Sequence, residues 1–285
     1  MNKILKKNLN RVLNRLYRVV KTKHRRGVIA TGVSKAFVNT KNSVKYDEAF
    51  DMYWQVHGNT FLQIDQNPIY DFSYAKYEKR FKTMFCRKYD VKKGDVVIDL
   101  GAGIGAELPF YCSRLLNEGT VYAIEASRDS YTKMERLCKT NAYGDNVSLH
   151  HLAISDTAGT VWIEETDLYK ANQINKSKKG IEVKAMTLDE FVDIHKITKI
   201  NLLKMNIEGA ELQVIKGMTT SVDLVDNFAI SCHDFLFKEV TTIKETVKSF
   251  FEKNGFVVEE IQTGDKYIDS WIFGRRVKPL KVAEK

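Results

Sequence analysis

From Asp95 onward the chain alternates short apolar runs with longer amphipathic ones. Val96–Leu100, Thr120–Ile124 and Val147–Leu152 read as buried strands, with helices over Ile104–Leu116 and Ser130–Thr140 between them. Asn201–Met205 and Phe228–Ser231 continue the strands, and helices are predicted near Glu211–Gly217 and over Thr242–Lys253. The closing stretch GFVVEEIQTGDKYIDSWIFGRR reads as two antiparallel strands joined by a Gly264-Asp265 turn. This alternation predicts a doubly wound, mostly parallel, Rossmann-like α/β sheet, closed by an antiparallel C-terminal hairpin.

Upstream the pattern changes twice. Leu5, Leu9, Val12, Leu13, Leu16 and Val20 recur at helical spacing with cations on the other face, which predicts a basic amphipathic helix over residues 1–26. Residues 27–90 form an aromatic-rich extension; its rings crowd between Tyr46 and Tyr89 and are expected to pack on the main sheet. Phe81 and Phe85, four apart, lie on one face of a helix predicted to end near Val91. The polar turn VKKGD then leads into the α/β domain, residues 91–285.

Charge sharpens this division. The formal net charge is +9, yet ten of the 45 Lys and Arg residues, and none of the 36 acids, fall within Met1–Arg26, so the remainder nets −1. A neutral body disfavours nucleic acid as partner and makes the basicity a local device. Three uses are open for residues 1–26: a helix docked on the body, a helix lying on an anionic membrane, or an arm for polyanions. No run of 18 apolar residues occurs and the start lacks a secretory signal pattern. Cys86, Cys112, Cys138 and Cys232 form no CxxC pair. Together these lead to the expectation of a cytoplasmic protein, peripheral at the inner membrane face if residues 1–26 bind lipid.

The chemistry-bearing stretch is VVIDLGAGIGAELPF. Gly101, Gly103 and Ala106 satisfy the spacing G-x-G-x-x-G/A, in which glycines let a ligand approach the backbone and a following helix offers free N–H groups. A tight strand–helix turn with no ligand fits the same letters. Asp99 interrupts the apolar strand two residues before Gly101, where a carboxylate suits a cationic ligand, and Glu125 ends the second strand, placed to accept from two ribose hydroxyls. This order of acid, glycines and acid suits S-adenosylmethionine, whose amino group and sulfonium are positive, better than a nicotinamide dinucleotide.

Taken in order, VVIDLGAGIG, YAIEAS, LAISDTAG, MTLDEF and LLKMNIEGAELQVIKGM resemble the FkbM-type S-adenosylmethionine-dependent methyltransferases, over roughly Asp95–Arg275. The resemblance implies a class I methyltransferase fold and, usually, O-methylation of a hydroxyl on a sugar or small molecule. It also implies that Asp99, Gly101, Gly103 and Glu125 hold the cofactor and that Ala153 to Asp156 flank the adenine. One position departs from the family pattern: Asn206 stands where aspartate is common. An amide cannot act as a base, so the acidic duty passes to Glu208, which otherwise would serve only as a carboxylate near a helix N-terminus.

A second candidate is ISCHDF, which sets His233 and Asp234 after an apolar strand, at the edge where open α/β sheets place ligands. Methyl transfer to an alcohol requires removal of the O–H proton, and an imidazole suits that task near neutral pH. His233 as base, with Glu208 and Asn206 positioning the acceptor, is the expected catalytic set. A divalent cation held by Glu208, His233 and Asp234 is the alternative, and a histidine hydrogen-bonded at a strand end the bland one. The leading expectation is thus an O-methyltransferase for a glycan or small molecule. A nucleic-acid methyltransferase and a non-catalytic module that binds S-adenosylmethionine are the alternatives.

Overall fold

Seven strands of the computed structural model lie side by side in one mostly parallel sheet. The structure describes residues 3–64, 68, 72–164, 173–175, 180–234 and 243–277. The chain divides into two compact units, Met1–Lys79 with Lys139–Ala142, and Arg80–Cys138 with Tyr143–Lys285.

The first unit contains α1 (Lys3–Val19), α2 (Lys23–Phe37), β1 (Asn42–Asp47), β2 (Met52–His57) and β3 (Thr60–Ile64), and α3 (Tyr74–Met84) begins in it. The basic segment forms two helices, because the chain turns at 20–22, where the Arg26 Nε donates to the Val20 carbonyl at 2.8 Å. The three strands pair antiparallel in the order β1-β2-β3. Strand β2 is buried at five successive positions, so it lacks the polar–apolar alternation that marks a half-buried strand. Of the rings expected on the main sheet, those of β2 build this unit: Tyr53 packs with Leu13, Ala30 and Val44, and the Trp54 indole donates to Asp47 at 2.9 Å. Helix α2 approaches closely, since a Cβ on Gly27 would stand 3.2 Å from the Val44 carbonyl oxygen.

The second unit carries β4 (Val96–Leu100), α4 (Leu108–Leu115), β5 (Thr120–Glu125), α5 (Arg128–Asn141) and β6 (Val147–His151). Then come β7 (Ala153–Ile154), β8 (Gly159–Glu164), β9 (Gln173–Asn175), β10 (Ile181–Met186) and α6 (Leu188–Ile194). The last part is β11 (Leu202–Met205), α7 (Glu211–Lys216), β12 (Asn227–Ser231), α8 (Ile243–Lys253), β13 (Phe256–Glu260), α9 (Lys266–Asp269) and β14 (Trp271–Arg276). In the main sheet β12, β11, β4, β5 and β6 are parallel, and β14 is antiparallel to both of its neighbours. This is the class I methyltransferase sheet, mostly parallel with one reversed strand. Strands β7, β10, β8 and β9 form a separate four-stranded sheet that the periodicity did not reveal.

Two boundaries differ from the sequence expectation. Helix α4 starts at Leu108 rather than Ile104, because Gly101, Gly103 and Gly105 all take positive φ (74°, 56° and 78°) and hold residues 101–107 in a turn. The two closing strands pair as expected, but Ile261–Ser270 joins them in place of a two-residue turn. That connection contains α9, and the Asp269 carboxylate accepts from the Thr263 and Gly264 N–H groups.

Alternation along the central strands sorts their faces. Ile98 and Leu100 on β4, Leu203 and Met205 on β11, and Phe228 and Ile230 on β12 share one apolar core with Val214, Phe191 and Phe251 from the helices. The other face carries Asp99 and Lys204. Beyond Leu100 the chain continues to β5 on one side, while β11 and β12 extend the sheet on the other. The carboxyl ends of β4 and β11 therefore mark the topological switch point, where such sheets place ligands.

Candidate active site

Asp99 does meet a cation, and it is the protein's own. The parallel register sets Lys204 of β11 directly beside Asp99 of β4. The Lys204 Nζ lies 2.7 Å from the Asp99 Oδ1 and donates to the Gly101 carbonyl at 2.9 Å. Both side chains are essentially inaccessible. Their lateral neighbours in the ladder, Ala123 and Ala229, are small and leave room for the long lysine. The Phe85 ring centroid is 5.8 Å from the ammonium, and Phe85 meets Trp271 edge-on at 5.0 Å. Burial opposes the charged lysine, but the carboxylates of Asp99 and Glu107 outweigh it and raise the Lys204 pKa.

The glycine turn wraps this pair. Gly101 admits no side chain, since a Cβ there would stand 2.1 Å from the Asn206 carbonyl oxygen. Glu125 braces the turn: its Oε2 accepts from the Gly103 N–H and its Oε1 from the Ser127 N–H, each at 2.7 Å. Burial pushes the Glu125 carboxyl up, and those two N–H groups pull it back only in part. Each carboxylate oxygen still has a lone pair for a ligand hydroxyl. Glu107, which sequence reasoning passed over, closes the turn at the N-cap of α4. Burial, against the pull of Lys204, pushes its carboxyl up to about 7. Three carboxyl groups thus face one ammonium, an excess of acid around a glycine turn.

The second constellation lies one strand further along the edge. His233, past the end of β12, is buried, and its Nδ1 is 2.5 Å from the Glu211 Oε1. A carboxylate only accepts, so Nδ1 carries the proton and Nε2 is the basic nitrogen of the neutral ring. Glu208 reaches that side, with its Oε2 at 3.5 Å from Nε2, and the Ser231 hydroxyl lies at the same distance. Burial works against a charged imidazole, but the hydrogen bond and charge of Glu211, then Glu208 and Asp234, outweigh it and raise the His233 pKa. Glu208 has φ of 52°, a conformation that costs a side-chain-bearing residue roughly 1–3 kcal/mol and clusters at functional sites. Glu211 Oε2, fully buried, has no hydrogen-bond partner among the described residues.

Other expected residues sit differently. The Asn206 N–H donates to the Leu100 carbonyl at 3.0 Å, so its backbone ties β11 to the end of β4. The Asp234 carboxylate accepts from the Ile243 and Lys244 N–H groups and so anchors the start of α8. The alternative ligand set of Glu208, His233 and Asp234 would have to share Asp234 with these two N–H groups. Among the described residues no group of three or more His, Cys, Asp or Glu side chains is arranged for a metal ion. Ala153 is buried in β7 beside Ala185, while Asp156 is exposed and accepts from the Ser155 and Thr157 hydroxyls. The MTLDEF motif is architectural: Thr187 and Glu190 form a capping box, and Asp189 ties down Thr219–Ser221. Lys204 and Glu211 had no role from sequence. A lysine inside the apolar run LLKM was the available signal for one, and the second acid of EGAE for the other.

Residues 99–272, more than half of the chain, match the Methyltransferase FkbM domain. The chain belongs to this family. A hexuronic acid methyltransferase, AglP, from Haloferax volcanii is 27% identical over 145 residues, which are 50% of this chain and 58% of that relative. The match thus spans little more than half of the relative's length. Methyltransferase 1 from Beauveria bassiana is 23% identical over 224 residues, 68% of this chain and 87% of that protein. A crystal structure of a methyltransferase FkbM from Methylobacillus flagellatus KT aligns over 68% of this chain and 47% of its own, at a TM-score of 0.48 and 16% identity. The FkbM family assignment rests on the domain match. Among the described residues no helix is long and apolar enough to cross a membrane.

Proposed function

We propose that this FkbM-family protein is an S-adenosylmethionine-dependent O-methyltransferase acting on a hydroxyl of a sugar or related small molecule. The observation that carries the reading is the Glu211–His233–Glu208 array, one strand from an acid-rich glycine turn at the switch point of the sheet. The turn suits the cofactor on chemical grounds. Its excess of carboxyl groups favours a cationic ligand, and the cradle at Gly101 has no room for a side chain. S-adenosylmethionine, when bound, supplies an electrophilic methyl group.

The rest falls to the chain's own side chains. Glu125, with Gly101 and Gly103, forms the cradle for the cofactor, and Asp99 with Lys204 fixes its floor. Glu211 holds the His233 ring with Nδ1 protonated, so Nε2 takes the proton of the acceptor hydroxyl. The imidazolium that results is held between two carboxylates, Glu211 on one nitrogen and Glu208 beside the other. Asn206 and Glu208, the latter 20% exposed at the mouth, orient the acceptor. General-base assistance of this kind is worth about 10²–10⁴ in rate.

A uronic acid acceptor, of the class named for the Haloferax volcanii relative, would offer both hydroxyl and carboxylate oxygens. Only the hydroxyl needs a base. The test is to incubate the protein with S-adenosylmethionine carrying a labelled methyl group and uronic-acid glycans, then treat the product with mild alkali. Label that resists alkali is an ether on a hydroxyl, as proposed. Label released by alkali is a carboxyl ester and removes the role given to His233. Failure to bind S-adenosylmethionine in calorimetry would overturn the reading altogether.

A further inference from the structure

We propose that α1 seats the protein on a membrane surface rich in anionic lipid, through a stripe of the helix that its own unit leaves uncovered. The helix has two neighbouring apolar stripes. Leu9, Leu13 and Tyr17, four residues apart, pack on the cluster formed with Ala30, Val44 and Tyr53. Leu5, Val12, Leu16 and Val19 face away and are 46%, 59%, 38% and 78% exposed. A single exposed leucine would be unremarkable, but Val12, Leu16 and Val19 on successive turns, with Leu5 two turns before them on the same face, form an apolar patch.

Lys7, Arg11, Arg15 and Arg18, all exposed, run beside that stripe on the side away from the docked face. No acid occurs anywhere in α1. The charge selects the occupant. A second copy of the chain would bring the same cations against these, which repel. A nucleic acid would answer the cations and leave the apolar stripe in water. An anionic bilayer surface answers both at once, taking the apolar stripe into the headgroup boundary while the cations meet lipid phosphates. Docking on the body and binding a membrane are therefore two sides of one helix, not alternatives.

The full chain is tested by sedimentation with vesicles of phosphatidylcholine, with and without phosphatidylglycerol. Binding to the anionic vesicles alone, weakened by added salt, is expected. Each cation near such a surface contributes roughly fivefold, so Arg11→Gln with Arg15→Gln should weaken binding by about 25-fold. Val12→Ser with Leu16→Ser should weaken it by about tenfold or more at an unchanged thermal midpoint, since both residues already face water. If the apolar variant folds poorly, the arginine variant carries the test by itself. No sedimentation of the intact protein with anionic vesicles overturns the proposal. So does vesicle binding that neither variant weakens. A dimer in sedimentation velocity that Val12→Ser with Leu16→Ser dissolves, or retention on DNA, in either case without vesicle binding, overturns it as well.

Discussion

Around Lys204, three carboxyl groups share one ammonium; around His233, two carboxylates hold one imidazole. In the first set Asp99 and Lys204 are locked by strand register and closed to solvent, and Glu125 and Lys204 are bound to backbone N–H and carbonyl groups. Each set keeps a buried oxygen without a hydrogen-bond partner among the described residues, Asp99 Oδ2 in the first and Glu211 Oε2 in the second, but only the second rests on a residue in a costly backbone conformation. Buried charge alone does not mark catalysis. An ion pair fixed by strand register holds shape, while an imidazole set between two carboxylates, one of them on a strained backbone, can still exchange a proton.

The difference can be broken by substitution. His233→Ala should lower kcat by about 10²–10⁴-fold with cofactor affinity nearly kept; stopped assays and calorimetry read the two separately, and unchanged turnover would make His233 a structural residue. Lys204→Met should act on stability instead. It leaves the Asp99 carboxylate buried without its counter-ion, at a cost of about 3–5 kcal/mol in denaturant unfolding. Adding Asp99→Asn should restore most of that loss, because removing both charges of a buried pair is often close to neutral.

Glu208→Gly sharpens the contrast. Glycine accepts the positive φ, so folding stability should hold or rise by up to about 1 kcal/mol while turnover falls. A clear loss of stability would show that the Glu208 side chain is part of the architecture. The smallest effect is on pH dependence. His233 is raised above its ordinary value of 6.5, so the stability it contributes is full below that value and is lost as pH rises through the raised one. Catalysis needs the neutral ring and should increase over the same window. Glu211→Gln should move the acid limb of kcat/KM to lower pH; an unmoved limb would mean that another group titrates.

Asp99, Gly101, Gly103 and Glu125 were legible in the sequence as exceptions to a buried strand, and the strand–helix order followed from local periodicity. What Asp99 pairs with was not legible. Its partner lies on β11, far along the chain, and spacing along one strand does not encode lateral neighbours. Glu211 was hidden for another reason, since an acid in the first turn of a helix is ordinary. Strands β1–β3 escaped because β2 is covered on both faces, although the Gly58-Asn59 turn before Thr60 was a hairpin signal in plain letters. The proximity of Glu208 and His233 was expected from sheet topology, but the conformation of Glu208 is visible only in the folded backbone.

The ladder pairing of Asp99 with Lys204 also bears on the order of assembly. Strands β4, β5 and β6 are contiguous in the chain and could pair while the rest is still being synthesised, yet closing them would bury Asp99 with no counter-ion until β11 arrives. Closure of half a sheet would therefore carry the cost of a buried carboxylate without its counter-ion. The pairing also polices alignment, because a slip of β11 by one residue would turn Lys204 to the apolar face and leave both charges stranded.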